Sequence, residues 1–235
     1  MLVEGAISVK ACIKNNKRIV NRIYIDKNKK TKDFNYIRII AKENNILVDE
    51  IDREDFSSLN VKKTFGGIVA EVENRKSDNF DNGDIFYLDG IEDPFNLGYI
   101  IRTLYAFGIK NILLPLKDYS SMEAQIIKSS AGAYEMANVC FVEDIYEFIK
   151  NLKKDNYHIY SLVRSEISKD IFKEKFEDKC LFMIGGEKRG ISKKLEELSD
   201  KNLFIPYGSD FRNSLNAYSA CDVISTLLYK QRNYD

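Results

Sequence analysis

The chain has 235 residues, 44% of them apolar and 31% charged, which is enough for one large buried core or two small ones. No run approaches 18 consecutive apolar residues, which excludes a hydrophobic membrane-spanning helix. The first residues, MLVEGAISVKACIKNNK, lack the basic-then-apolar order of a secretory signal. Lys plus Arg and Asp plus Glu both number 36, so no global charge draws the chain to a polyanion.

The four cysteines (Cys12, Cys140, Cys180, Cys221) are scattered. That spacing excludes a zinc knuckle or a redox pair, and it suggests reduced thiols and a cytoplasmic protein with no metal site. The charge distribution is less even than the total. Residues 1–42 carry 11 Lys/Arg against 3 Asp/Glu, whereas residues 43–60 carry one Arg against six acids. A basic head can dock on phosphate, although a solvated Lys-rich surface would look the same.

In chain order, residues 6–14 read as a weak amphipathic helix and 22–26 (RIYID) as a β run. Residues 34–44 read as helix, and 46–51 and 67–72 (GIVAEV) as strands. Together they make a small α/β unit with mixed pairing, over residues 1–72. Residues 73–83 (ENRKSDNFDNG) hold one large apolar residue among charges, Asn and Ser, and form the linker candidate. Strand-like apolar runs follow at 84–91, 111–116, 138–142, 158–163, 180–185 and 202–206, with helical segments between most of them. They are continuously apolar rather than alternating, so both faces of their sheet are covered. That is the pattern of a mainly parallel sheet flanked by helices, over 84–235. Residues 214–232 close the chain as a helix.

Three segments just after strands carry polar groups, the place where open α/β sheets bind ligands. In DGIEDPFNLGYIIRT, Asn96 stands at the expected helix start, where it would cap free N–H groups. Arg102 lies six residues on, 240° around the axis, so the two do not share a face. On residue type alone it could be a surface ion-pair partner. In LFMIGGEKRGIS, a buried strand runs into Gly185, Gly186, Glu187 and Gly190. The glycines permit close backbone approach, but the spacing is not a dinucleotide fingerprint. In IPYGSDFRNSLNAYS, Ile205 and Pro206 end a strand, and Ser214, Leu215 and Asn216 open the last helix. Ser214 would be an ordinary N-cap, and Asn216, a mediocre helix former, has no evident local task. His158, the only histidine, lies in a strand-like run outside these segments and reads as structural.

Taken together, the three segments resemble in order and spacing the SpoU (TrmH-like) family of RNA ribose 2′-O-methyltransferases, within the SPOUT superfamily. The residues concerned are Asn96, Gly98 and Arg102; then Gly186, Glu187 and Gly190; then Ile205, Pro206, Ser214, Leu215 and Asn216. SSAGAYEMANV (129–139) is similar to the family's Gly-Ala segment. The head, ending in GIVA (67–70), is similar to its ribosomal-protein-like substrate-binding module.

The resemblance implies a SPOUT-type parallel sheet with helices on both faces and a deep C-terminal trefoil knot, which chain-path rules alone would not suggest. It implies S-adenosyl-L-methionine held by Gly185, Gly186, Gly190, Ile205, Pro206 and Leu215. It makes Asn96, Arg102, Glu187, Ser214 and Asn216 the catalytic set and a homodimer the working form. It also makes Lys10, Lys14, Lys17, Arg18 and Arg22 of the basic head an RNA-docking arm. Ribosomal RNA is the expected substrate, with transfer RNA, or a catalytically silent RNA-binding module of the same fold, as alternatives. A nucleotide-binding enzyme of another class is disfavoured by the missing phosphate-loop and dinucleotide patterns. Three local features depart from the family: the loop 207–213 is about one residue longer, Asp222 places a charge in the last helix, facing solvent or a partner subunit, and TFG (64–66) precedes GIVA where relatives often carry His-Gln.

Overall fold

The computed structural model describes residues 1–59, 61, 65–186 and 189–234. The chain divides into two compact units. One comprises Met1–Lys76 with Asp118–Met136, the other Ser77–Lys117 with Ala137–Asp235.

The first unit contains a four-stranded sheet in the order β1-β4-β2-β3. Its strands are β1 (Leu2–Glu4), β2 (Val20–Asp26), β3 (Leu47–Ile51) and β4 (Ile68–Val72). β4 pairs antiparallel with β1 and β2, whereas β2 and β3 are parallel, giving the mixed pairing expected. α1 (Ala6–Asn15) and α2 (Lys32–Glu43) supply Val9, Ile13, Phe34, Ile37 and Ile40 to its core. Thr31 caps α2 by accepting from the Phe34 N–H. A second, small cluster joins Phe56 and Phe65, from the segment between β3 and β4, to Val69 of β4.

α4 (Ser120–Ser129) and α5 (Ala133–Met136) belong to this unit, although in sequence they lie inside the segment 84–235. The physical reason is a buried cluster. Arg18, with its side chain fully covered, donates to Glu123 (3.0 Å), to Glu135 (2.8 Å) and to the Glu73 carbonyl. Tyr134 donates its hydroxyl to Glu123, and Arg75 lies over the Tyr134 ring and donates to the Tyr134 carbonyl. Burial alone would lower the Arg18 pKa, but its bonds to Glu123 and Glu135 outweigh that and raise it. Gly132 has φ +84°, and a Cβ there would stand 2.6 Å from the Ala11 Cβ, so α1 reaches this turn only because the residue is glycine.

The second unit is a seven-stranded sheet in the order β7-β6-β5-β10-β8-β11-β9, and every adjacent pair is parallel. Its long strands are β5 (Ile85–Asp89), β6 (Asn111–Pro115), β7 (Asn138–Val142), β8 (His158–Leu162), β10 (Cys180–Gly185) and β11 (Lys201–Phe204). β9 (Lys169–Asp170) is a short edge strand. Ile85, Tyr87, Leu113, Ile159, Leu181 and Met183 pack on one face against Ile145, Ile149 and Leu152 of α6 (Ile145–Lys154) and Leu195 of α7 (Lys193–Leu198). The period of two sends Phe86, Leu88 and Phe182 to the opposite face. There α3 (Pro94–Ala106) and α8 (Ala217–Asn233) pack side by side. Burial on both faces explains the continuous apolar runs.

Candidate active site

Parallel pairing puts the carboxyl ends of β5, β10, β8 and β11 at one edge of the sheet. Gly185 stands opposite Asp89, so the glycine turn after β10 runs beside the loop after β5. The approach leaves no room for side chains. A Cβ on Gly186 would fall 2.2 Å from the Gly90 carbonyl oxygen, and one on Gly185 would fall 2.2 Å from the Gly190 carbonyl carbon. The turn closes on itself, with the Gly190 N–H donating to the Gly186 carbonyl at 2.9 Å.

This turn forms one wall of an open cleft. Gly185, Gly186 and Gly190 face Ile205, Ser214 and Leu215 across it, so the second and third sequence segments meet in one site. Pro206 is half-buried beside the cleft but does not line it. The apolar lining is completed by Leu162, Val163, Ile184, Leu203, Phe204, Ala217 and Ala220. The sequence had not singled out 162–164 or Tyr207, although residues 162–164 sit at the carboxyl end of β8, where the same placement rule points. Tyr207 accepts from the Leu215 N–H at 3.0 Å and so clasps the long 207–213 loop across its base.

The first segment does not line the cleft; its helix, α3, packs beside α8. Asp93, not Asn96, caps this helix, accepting from the N–H groups of Phe95 (2.7 Å) and Asn96 (2.9 Å), with Pro94 in the first turn. Asn96 is therefore a half-buried residue inside the first turn. The cap of α8 also moves by two residues. It is Asn216, accepting from the Tyr218 N–H at 3.0 Å, which gives Asn216 a local task and leaves Ser214 exposed on the cleft wall. Arg102 is exposed on α3, one turn from Tyr99, whose ring meets Tyr218 of α8 edge-on at 6.2 Å. Glu187 lies outside the described residues. Burial raises the Asp89 carboxyl above its ordinary value, partly offset by a hydrogen bond from the Tyr87 hydroxyl. His158 opens β8 at the amino end of the sheet, the end away from the cleft.

The basic head differs from expectation at Arg18, whose charge is satisfied internally by Glu123 and Glu135. Lys10 lies 3.6 Å from Asp33, Arg22 bonds to Asp49 at 2.6 Å, Lys14 stands 6.0 Å over the Tyr36 ring and Lys17 is half-buried. Among the described residues no His/Cys/Asp/Glu cluster suits a metal ion, and no helix is long and apolar enough to cross a membrane.

The chain thus comprises a mixed α/β unit and a parallel α/β unit with a glycine-walled cleft at the carboxyl edge of its sheet. Residues 84–226 match the SpoU rRNA Methylase family, and residues 2–77 match the RNA 2′-O ribose methyltransferase substrate-binding domain. The chain belongs to the SpoU/TrmH family of RNA methyltransferases. It is 27% identical, over all of its own length and 97% of the other, to a Staphylococcus saprophyticus protein whose name assigns it to the TrmH family of tRNA/rRNA methyltransferases. Its fold is similar to that of the SpoU methyltransferase AviRb from Streptomyces viridochromogenes in complex with AdoMet (TM-score 0.81, 18% identity, 100% of this chain and 91% of that one). It is also similar to that of AdoMet-bound rRNA methyltransferase from Sinorhizobium meliloti (TM-score 0.81, 17% identity, 100% and 88%).

Proposed function

We propose that the protein transfers a methyl group from S-adenosyl-L-methionine to a ribose 2′-hydroxyl of structured RNA, ribosomal RNA ahead of transfer RNA. The observation that carries this is the shared cleft. The glycine turn after β10 and the loop before α8 face each other, in a chain whose family transfers methyl groups to RNA. The lining fits the donor: the apolar wall suits a nucleoside, and the glycines expose backbone groups that a Cβ would cover. Gly185, Gly186, Gly190, Ile205 and Leu215 would hold it, with Pro206 supporting the loop. Bound there, the donor supplies a methyl group activated by a sulfonium.

The chain's own work is on the nucleophile. A ribose hydroxyl is a very weak acid, so the site must hold it in line and stabilise the charge that grows on its oxygen. Arg102, with its planar fork of N–H donors, is the group we assign to that oxygen and an adjacent phosphate. Ser214, on the cleft wall, would hydrogen-bond ribose or phosphate. Asn96, Asn216 and Glu187 would orient these groups. The sole histidine lies at the far end of its strand, so it does not serve as base.

The working form we infer is a homodimer through the α3–α8 face. Phe95, Tyr99, Tyr218 and Tyr229 are 37–47% exposed there. A self-complementary two-fold contact would cover these rings beside Arg102. The reading carries with it the family's knotted C-terminal segment, a cytoplasmic location and independence of metals. It makes 1–72 the RNA-binding domain, 73–83 the linker and 84–235 the catalytic domain. Lys10, Lys14, Lys17 and Arg22 would meet RNA, whose 2′-hydroxyl is reached most easily in loops and splayed nucleotides.

The test is transfer of labelled methyl from S-adenosylmethionine to ribosomal and transfer RNA, followed by mapping of 2′-O-methyl positions in cells with and without the protein. Label on ribose of one RNA class is expected. Label on a base, or none on RNA, overturns the assignment.

A further inference from the structure

Among the described residues that line the cleft, Arg164 is the only charged one. It follows β8, and its guanidinium carbon lies 4.8 Å from the centroid of the Tyr207 ring. No carboxylate among the described residues pairs with it. The stack is held from behind. The Tyr207 hydroxyl accepts from the Leu215 N–H, which fixes the ring that orients the guanidinium. An arginine stacked on a tyrosine keeps its N–H fork free in the ring plane while most of its rotamer freedom is already lost. Among the described residues the rest of the wall is glycine backbone, apolar side chains including the Phe204 ring, and the Ser214 hydroxyl. Such a wall suits the neutral adenosine of the donor but gives no counter-charge to its amino-acid end.

We infer that Arg164, held by Tyr207, binds the carboxylate at the amino-acid end of the methyl donor and selects ligands that carry that group. The inference rests on the donor assignment above. A carboxylate and a guanidinium form two parallel charge-assisted hydrogen bonds, which a thioether or a nucleoside alone cannot replace. The sulfonium of the donor gains nothing from a nearby cation. The neutral-sulfur product, S-adenosylhomocysteine, therefore binds at least as tightly as the donor.

Calorimetry with the full chain tests this, using S-adenosylhomocysteine and 5′-methylthioadenosine, which share the adenosine and thioether but differ in the amino-acid end. Arg164→Met is expected to weaken S-adenosylhomocysteine by about ten- to a hundredfold while leaving methylthioadenosine within about twofold, and Arg164→Lys to recover part of the loss. Raising salt should weaken S-adenosylhomocysteine binding to wild type more than methylthioadenosine binding. Equal losses for both ligands, or no loss for either, overturn the inference but leave the donor assignment standing. Unchanged S-adenosylhomocysteine affinity with a raised KM for RNA gives Arg164 to an RNA phosphate and also overturns it. Failure of the wild type to bind either ligand would bring down the donor assignment itself.

Discussion

At Gly186 the hydrogen that replaces a side chain is the only atom small enough to face the Gly90 carbonyl. A methyl group there has rigid backbone on the other side, so the two loops must separate. Gly186→Ala should abolish S-adenosylhomocysteine binding in calorimetry while far-UV circular dichroism still reports a folded sheet. Arg102 sits under no such constraint: it is exposed and lies off the cleft wall. Arg102→Ala should therefore leave S-adenosylhomocysteine affinity within about twofold and lower methyl transfer by about a hundredfold or more, the usual cost of removing a group that stabilises developing charge. Wild-type turnover in that variant would remove it from the mechanism.

Asp89, beside the same glycine turn, gives a pH signature. Burial raises its pKa above 3.8, so the carboxyl ionises less readily in the folded chain than in the unfolded one. Such a group costs stability where it is charged, and the cost appears as pH rises from the ordinary value through the raised one. Asp89→Asn should raise Tm at pH 7, with the gain fading as pH falls towards 3.8.

At the scale of elements, the helix starts show what residue patterns convey and what they miss. The sequence placed helices at 94–106 and 217–233 to within a few residues, because their apolar spacing is strong. It assigned the cap roles to the wrong residues. Several of Asp93, Asn96, Ser214 and Asn216 can accept from an N–H, and only the direction of the incoming chain decides between them.

α4 and α5 make the same point on a larger scale. Their position in sequence assigns them to the catalytic segment, whereas Glu123 and Glu135 need Arg18. Arg18→Met would leave two buried carboxylates without their cation. It should cost about 3–5 kcal/mol in denaturant unfolding, whereas replacing all three residues by apolar ones of similar volume should cost far less. Removal of residues 1–72 alone would strip the cover from α4 and α5, so loss of RNA binding in that truncation would not isolate the arm.

For the whole molecule, the aromatic face of α3 and α8 makes a prediction about assembly. Tyr99→Asp combined with Tyr218→Asp should convert a dimer to a monomer in analytical ultracentrifugation and reduce methyl transfer with it. A wild type that sediments as a monomer at micromolar concentration would exclude the dimer.

The apolar runs by themselves determined the parallel sheet and its flanking helices, because burial on both faces of a strand leaves a compositional trace that needs no neighbour to be seen. Of the three loop segments, the glycine turn after β10 and the residues before α8 were legible as turns that meet at one cleft, whereas the first segment does not line it. Tertiary structure alone decided that Arg18 is internal rather than a docking cation, since its type and its Lys-rich surroundings are those of a surface group and its partners lie more than a hundred residues away. Tertiary structure likewise brought Arg164 and Tyr207 to the wall of the cleft, because strand order, which juxtaposes β8 and β11, is not written in any local stretch of sequence.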